Sequence, residues 1–409
     1  MELYRREDYL AKIRGFYDSC GVIKVITGVR RCGKSCLMKT IQEELLESGV
    51  TEDSIAYIDL EKRGYRSIRT PDALEEAIEG SCHVAGRKYL FIDEVERVKG
   101  FEDVVNAYRA EGDWSVFITG SNSYLLSGEL ITHLTGRYIE FEMQTLSFKE
   151  YCDMKRFLGK PSNPNSIAEF DSYILEGGFP GALEFDSLAD KRTYTRSVIA
   201  EIFEKDIKRR VKVRNVSVFN QVQAYVINNF GSTTSLSNIL DDLGKQGVHI
   251  KRETLNRYLQ ILEDAKIVRK CWRFDMKSRK SLRGEAKFYL ADLSFYFATN
   301  TDNRINYGPV LENIVYAYAR SKGYEVSVGR IGKLECDFVC RSPQMDYSYI
   351  QVAFTIMDSQ RTEDREYRPL EAIRDNYPKY VVTRSDLIQS RSGIIHVNAI
   401  DFMLEGKCF

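Results

Sequence analysis

The sequence predicts an α/β protein of several domains, and three observations carry that reading. Over residues 1–155 short apolar runs alternate with amphipathic stretches, the pattern of a mostly parallel sheet with helices on both faces. A glycine-rich loop, Gly28-Val29-Arg30-Arg31-Cys32-Gly33-Lys34-Ser35, joins the first apolar run to the first helix. After a largely helical stretch, mixed helix and strand character returns toward the C-terminus.

Strands are expected at 22–27, 55–60, 89–93, 115–119 and 138–141, with helices at 34–48 and 72–79 among those between them. Gly159, Pro161 and Pro164 break the alternation. Residues 156–230 then read as a helical lid or linker, interrupted by Gly177-Gly178-Phe179-Pro180-Gly181. Residues 231–300 run short helix, turn, longer helix and two strands around a basic turn, the order of a winged helix. Residues 301–409 form a further α/β domain, with a helix at 310–322 and strands near 325–328, 335–340, 349–354 and 380–383.

Composition excludes several classes. Lys and Arg total 59 and so do Asp and Glu, so any nucleic-acid surface must be a local patch. The nine cysteines include no CxxC pair and there are only four histidines, which argues against a zinc module and for reduced thiols. The first ten residues, MELYRREDYL, are charged and unlike a signal peptide. No apolar run approaches the roughly 18 residues of a membrane span. A soluble, cytoplasmic protein without a membrane partner is expected.

The glycine-rich loop matches GxxxxGK[ST] at each fixed position, and it lies between a strand and a helix, as that motif requires. Gly28 and Gly33 permit backbone angles that aim N–H groups at phosphates. The helix beginning near Lys34 adds its positive dipole end. Gly28, Val29, Arg30, Arg31, Cys32, Gly33, Lys34, Ser35 and Cys36 are therefore expected to bind ATP. In this arrangement Lys34 reaches the β- and γ-phosphates and Ser35 ligates Mg²⁺.

The partner motif is Tyr89-Leu90-Phe91-Ile92-Asp93-Glu94, an apolar strand that delivers two carboxylates. Asp93 is expected to hold Mg²⁺, and Glu94 to polarise the attacking water as general base. One strand, 55–60, falls between the two motifs, as in the P-loop branch that uses a catalytic glutamate. The strand at 115–119 ends in Gly120-Ser121-Asn122, which places Asn122, with Ser121 second, beside the γ-phosphate. Arg137 precedes the fifth strand, where ring ATPases carry an arginine that reaches a neighbouring subunit's site. That role implies a homo-oligomer; a surface ion pair is the plainer alternative.

Three segments together, Ile118–Ser123, Leu134–Arg137 and Leu146–Glu150, resemble the prokaryotic AAA-type ATPase family whose C-terminal half is the domain DUF4143. Tyr173–Pro180, Leu311–Tyr316 and Asp337-Phe338-Val339 resemble its later parts, so the likeness runs over roughly residues 5–405. The resemblance implies an AAA+-like ATPase core, a winged-helix-like middle and a nuclease-like C-terminal fold.

In the winged helix, Leu255, Leu259 and Leu262 of a recognition helix at 251–263 face the core. Lys251, Arg252, Asn256, Arg257 and Gln260 are free to face outward. The following turn carries Lys266, Arg269, Lys270, Arg273, Lys277, Arg279, Lys280, Arg283 and Lys287 against only Asp275 and Glu285, an excess that suits DNA phosphates. Winged helices also dock proteins, so both partners stay open.

The C-terminal domain has the order of a restriction-endonuclease-like core, with Glu312 on a helix, Asp337 on a strand and Gln351-Val352-Ala353 on the next. Active members of that fold carry an acid and, two positions later, a lysine where Gln351 and Ala353 stand. Ala353 cannot activate water, so nuclease activity is not expected unless a displaced lysine such as Lys379 serves instead. Glu312, Glu335 and Asp337 then either hold a divalent ion or form ion pairs. The leading expectation is an ATPase that couples hydrolysis to conformational change on DNA or a DNA-bound partner. The alternatives are an ATP-gated binding switch with negligible turnover and an ATPase-gated nuclease.

Overall fold

A computed structural model describes residues 2–120, 136–208, 213, 215–300 and 304–409. The chain divides into two compact units, Met1–Met143 and Gln144–Phe409.

The first unit runs α1 (Glu7–Ile13), β1 (Ile23–Gly28), α2 (Lys34–Glu47), β2 (Ile55–Asp59), α3 (Pro71–Glu79), β3 (Lys88–Asp93), α4 (Phe101–Glu111), β4 (Trp114–Thr119) and β5 (Tyr138–Met143). Its five strands pair in the order β2-β3-β4-β1-β5, all parallel. β1 and β4 are buried along their whole length, the signature of a parallel sheet covered on both faces. The register aligns Tyr57, Phe91 and Phe117 across three strands. Their rings stack at 5.7 and 4.7 Å between centroids. Lys24 of β1 extends the row, its ammonium 4.4 Å from the Phe117 ring centroid. This buried cation donates to the Ser19 carbonyl, the Val22 carbonyl and the Ser115 hydroxyl at 2.7, 3.2 and 2.7 Å. All three ammonium protons are thereby satisfied.

The second unit opens with α5 (Phe148–Phe157), α6 (Ser166–Glu176), α7 (Leu188–Glu201) and α8 (Val216–Asn228). There follow β6 (Thr233–Ser235), α9 (Leu236–Lys245), α10 (Arg252–Asp264), β7 (Val268–Asp275), β8 (Lys280–Leu290) and α11 (Ser294–Thr299). The chain ends with α12 (Tyr307–Ser321), β9 (Glu325–Ile331), β10 (Leu334–Arg341), β11 (Tyr347–Ala353), α13 (Gln360–Glu371), β12 (Lys379–Thr383), β13 (Ile395–Asn398) and α14 (Ala399–Leu404). The eight strands form one sheet, ordered β13-β12-β11-β10-β9-β7-β8-β6. β7 pairs in parallel with β9 through Arg273↔Val328, Phe274↔Gly329 and Asp275↔Arg330. The boundary expected at 300/301 thus falls inside one sheet-bearing unit, and the one at 155/156 falls inside α5.

The Gly177-Gly178 pair has a steric cause. Gly177 has φ +79°, and a Cβ there would meet the Asp292 carboxylate at 2.1 Å. A Cβ on Gly178 would lie 2.4 Å from the Leu146 carbonyl oxygen. The gap is closed by hydrogen bonds: Leu146 N–H donates to Gly178 O at 2.7 Å, and Gly178 N–H donates to Asp292 Oδ2 at 2.8 Å. Asp292 also accepts from Ser294 N–H at 2.9 Å. Burial pushes the Asp292 pKa up, and these hydrogen bonds oppose the rise.

The carboxylates singled out in the C-terminal region close around an internal cation. Lys287 of β8, 4% exposed, places its Nζ 2.9 Å from Glu312 Oε2, 3.1 Å from Glu335 Oε1 and 3.8 Å from Asp337 Oδ1. Tyr289 donates to Glu312 at 3.1 Å, and Arg273 pairs with Glu335 at 3.0 Å. Gln351 spends its amide on this surrounding: Oε1 accepts from Asp337 N–H at 3.4 Å and Nε2 donates to Glu366 at 3.0 Å. Lys379 instead donates to the Asp375 carbonyl. Of the two readings of Glu312, Glu335 and Asp337, the geometry is that of ion pairs. Lys287 and Arg273, expected as phosphate contacts, are engaged by these carboxylates, and Lys266 is also buried. Lys277, Arg279 and Lys280 are exposed.

Burial would lower the Lys287 pKa, but Glu312, Asp337 and Glu335 outweigh it and hold it above the ordinary lysine range. A raised pKa means the stabilisation is complete below the ordinary value of 10.5 and fades only at higher pH. At neutral pH it is therefore fully present. Lys287→Met is expected to cost about 3 kcal/mol at pH 8 and less at pH 5.5, where the stranded carboxylates take up protons. Thermal unfolding at the two pH values checks this, and a melting temperature equal to wild type at both would refute it. Gly178→Ala is expected to cost at least ~2 kcal/mol through its clash with backbone, read by the same measurement.

Candidate functional site

Because β1, β3 and β4 are parallel neighbours, the segments that follow them emerge at one end of the first unit's sheet. The loop after β1 is shaped by three positive φ angles, Gly28 (150°), Arg31 (69°) and Gly33 (107°). A Cβ on Gly28 would meet the Met143 carbonyl oxygen at 2.6 Å and Cys32 Sγ at 2.7 Å, so only glycine fits. Gly33 caps α2 and brings no side chain to the first-turn N–H groups, which leaves them to the loop. Lys34, 5% exposed, folds back to donate to the Gly28 and Val29 carbonyls at 3.0 and 3.4 Å. Val29 and Cys32 are buried as loop packing, and Cys36 is exposed.

Asp93 ends β3 and is 2% exposed. Thr119, the last residue of β4, donates its hydroxyl proton to Asp93 Oδ1. The Thr119 hydroxyl oxygen in turn accepts from the Glu94 N–H at 3.0 Å. One hydroxyl thus orients both acidic residues. Burial pushes the Asp93 pKa up, while hydrogen bonds from Thr119 and Ser35 hold it down and Asp59, its neighbour in β2, adds to the rise.

Glu94 sits in the left-handed region at φ 56° and ψ 46°, unusual for a residue with a side chain. This backbone turns its carboxylate out of the strand direction. Burial and Glu96 push its pKa up to about 8, against the pull of Lys34 and Arg30. The Arg30 guanidinium places Nη2 3.8 Å from Glu94 Oε2.

The sequence-predicted residues divide by position. The loop from Gly28 to Cys36, Asp93 and Glu94 share one end of the sheet. Asn122, with Ser121, lies outside the described residues. Arg137 is at the other end: its carbonyl accepts from Ile23 N–H at 2.8 Å, at the start of β1. Gly28 lies five residues further along β1, about 17 Å at the rise of an extended strand. The exposed Arg137 therefore does not belong to its own chain's loop.

Two contacts escaped the sequence reading. Thr119 had a signal, a polar residue closing the apolar run Val116-Phe117-Ile118. Arg6, 5% exposed, donates to the Cys32 carbonyl at 3.1 Å and braces the loop from outside the motif. Nothing in its local sequence marks it. The residues present fit a magnesium nucleotide: the glycine cradle excludes side chains, Lys34 faces it, and Ser35 bonds Asp93. Among the described residues, no group of three or more His, Cys, Asp or Glu forms a metal site of its own. None of the described helices is long and apolar enough to cross a membrane.

Comparison with known proteins agrees with this geometry. Residues 21–152 match a family model described as an AAA domain. Residues 167–304 match a domain of unknown function, DUF8612, where the sequence reading had named DUF4143 for the C-terminal half. An uncharacterized protein of Haemophilus influenzae is 32% identical over 403 residues, 98% of both chains. An uncharacterized protein of Methanocaldococcus jannaschii is 29% identical over 86% of this chain and 79% of its own. Among solved structures, the Walker-type ATPase of Pyrococcus abyssi superposes with a TM-score of 0.51 at 15% identity, over 73% of this chain and 95% of that one; this likeness is one of fold. The chain belongs to the family of the Haemophilus influenzae protein, and its first unit is an AAA-type P-loop ATPase domain.

Proposed function

We propose that the chain binds ATP with Mg²⁺ at residues 28–36, hydrolyses it, and uses the cycle to change the conformation of its second unit on DNA or a DNA-bound partner. The observation that carries the hydrolytic part is the convergence of Lys34, Ser35, Asp93 and Glu94, with Thr119 fixing both acids. In this reading the loop N–H groups and Lys34 hold the phosphates, and Ser35 and Asp93 hold Mg²⁺. That ion, when bound, neutralises phosphate charge. Glu94 accepts the proton of the attacking water. Asn122 is assigned to positioning that water.

Arg137 is assigned to a neighbouring subunit's site. Its place at the far end of β1 and its exposure suit action in trans and imply a homo-oligomer. For the DNA part, support comes from the helix–strand–helix–helix–hairpin order of α8 to β8, read as a winged helix. Lys251, Arg252, Asn256, Arg257 and Gln260 are all exposed on and just before α10, while Leu255, Leu259 and Leu262 are buried. The nine cysteines are all free thiols, which suits a cytoplasmic setting.

Lys34→Ala is expected to abolish binding of a fluorescent ATP analogue, and retained binding would sink the assignment of the loop. Glu94→Gln separates turnover from stability. It is expected to bind ATP but release phosphate at least about 100-fold more slowly. Because the folded pKa of Glu94 is raised, stability is full below about pH 4.5 and is lost as pH climbs toward about 8. Removing the charge should therefore raise the nucleotide-free protein's stability at pH 8, by roughly 1–3 kcal/mol. Unchanged phosphate release would refute the general-base role, and an unchanged melting temperature would refute the buried-charge cost. For the second unit, duplex DNA should accelerate phosphate release and Arg252→Glu with Arg257→Glu should erase that acceleration; turnover indifferent to DNA counts against DNA as the partner.

A further inference from the structure

We propose that Asp59 of β2 is a positioning residue for the magnesium ion of the phosphate site, accepting a hydrogen bond from a water on that ion, with the Tyr57 hydroxyl as a second acceptor. The inference rests on the ATPase reading of the same site.

β2 and β3 run in register, with Tyr57 opposite Phe91 and Asp59 opposite Asp93. The stacked rings of Tyr57 and Phe91 show that such partners share a face of the sheet. Two residues further along each strand the same face returns, and it sets Asp59 beside Asp93 at the end where the phosphate loop emerges. Adjacent strands lie about 4.8 Å apart, so the two acids are immediate neighbours. Both are buried, Asp59 at 8% exposure and Asp93 at 2%. Neither forms an ion pair with a described lysine or arginine. Like charges buried side by side repel, and a divalent cation between loop and strand relieves both.

The hydrogen bonds point the same way. Asp93 is engaged by Thr119 and Ser35. Asp59 Oδ1 accepts from Glu61 N–H at 3.0 Å, while Oδ2 has no hydrogen bond from the described residues. The Tyr57 hydroxyl oxygen is closed off from solvent and has no hydrogen-bond partner among the described residues. Buried polar atoms are normally paired, so this pair of acceptors on one face calls for a donor. Burial, and then the charges of Asp93 and Asp59, hold the Tyr57 phenol above its ordinary range, so it stays neutral.

Mg²⁺ supplies such a donor. It takes one or two carboxylates directly and keeps several waters, and each water has two protons to give. Ser35 and Asp93 fill the direct role. Among the described residues no group of three or more His, Cys, Asp or Glu could hold a metal ion, so Asp59 acts through water. Outer partners of this kind fix the inner ligands and strengthen metal binding.

The affinity of the full chain for a fluorescent non-hydrolysable ATP analogue, measured with excess chelator and then along a Mg²⁺ titration, tests this. Asp59→Asn keeps an oxygen for the Glu61 N–H and removes the charge and the second acceptor. It is expected to leave the metal-free affinity within about twofold and to raise the Mg²⁺ concentration for half-maximal tightening about tenfold or more. The melting temperature of the nucleotide-free variant is expected not to fall, because a repulsion has been removed. Tyr57→Phe is expected to shift the Mg²⁺ requirement the same way by about threefold, and no shift strikes Tyr57 from the assignment. An unchanged Mg²⁺ requirement in Asp59→Asn, or an equal loss of affinity with and without the ion, overturns the role of Asp59 while leaving the ATPase reading standing. Wild type that binds no nucleotide, or binds it indifferently to Mg²⁺, overturns the magnesium-nucleotide reading itself, and this proposal with it.

Discussion

A parallel strand can be followed only by a segment that leaves from the same end as its neighbours, and the first unit is built on that constraint. With β4 inserted between β1 and β3, the phosphate loop, the Asp93-Glu94 pair and Thr119 meet at one end of the sheet although they are spread over some ninety residues of sequence. The meeting is made rigid by Thr119. Its hydroxyl gives a proton to Asp93 and takes one from the Glu94 amide, so the two acids are aimed by the last residue of a third strand. The left-handed backbone at Glu94 is tolerated because this amide is held.

The molecule contains several cations shielded from water, and each meets the cost of desolvation differently. Lys24 uses neutral oxygens and an aromatic face. Lys34 uses the carbonyls of its own loop. Lys287 uses a ring of carboxylates drawn from α12 and β10. The first is held within the strand layer, the second within its own loop, and the third ties a hairpin strand to the elements that follow it. Burial alone does not mark a charged group as functional.

Much of this was legible in the sequence, and the limit is physical. Periodicity locates β1 to β5 because buried parallel strands are continuous apolar runs. GxxxxGK[ST] and the Asp93-Glu94 pair locate the site because phosphate chemistry needs those residues adjacent along the chain. The outward and inward faces of α10 follow from helical spacing, and Leu255, Leu259 and Leu262 are buried as that spacing requires. What sequence spacing does not encode is pairing between distant strands. Lys287 belongs by position to a basic turn, and only the alignment of β8 with α12 and β10 turns it inward. Arg6 and Thr119 reach the site through tertiary contact alone.

The parallel pairing of β7 with β9 has a consequence for the chain as a whole. It runs the ladder of backbone hydrogen bonds unbroken from β13 to β6, so the hairpin after α10 and the C-terminal strands share a single sheet. A chain severed between α11 and α12 would bare two strand edges at once, one on each fragment. Each edge carries unpaired N–H and C=O groups that recruit foreign strands. The segment that looks like a natural seam in the sequence is thus a poor place to divide the protein. Fragments cut there are prone to aggregate, and the two halves of the unit have reason to be inherited together.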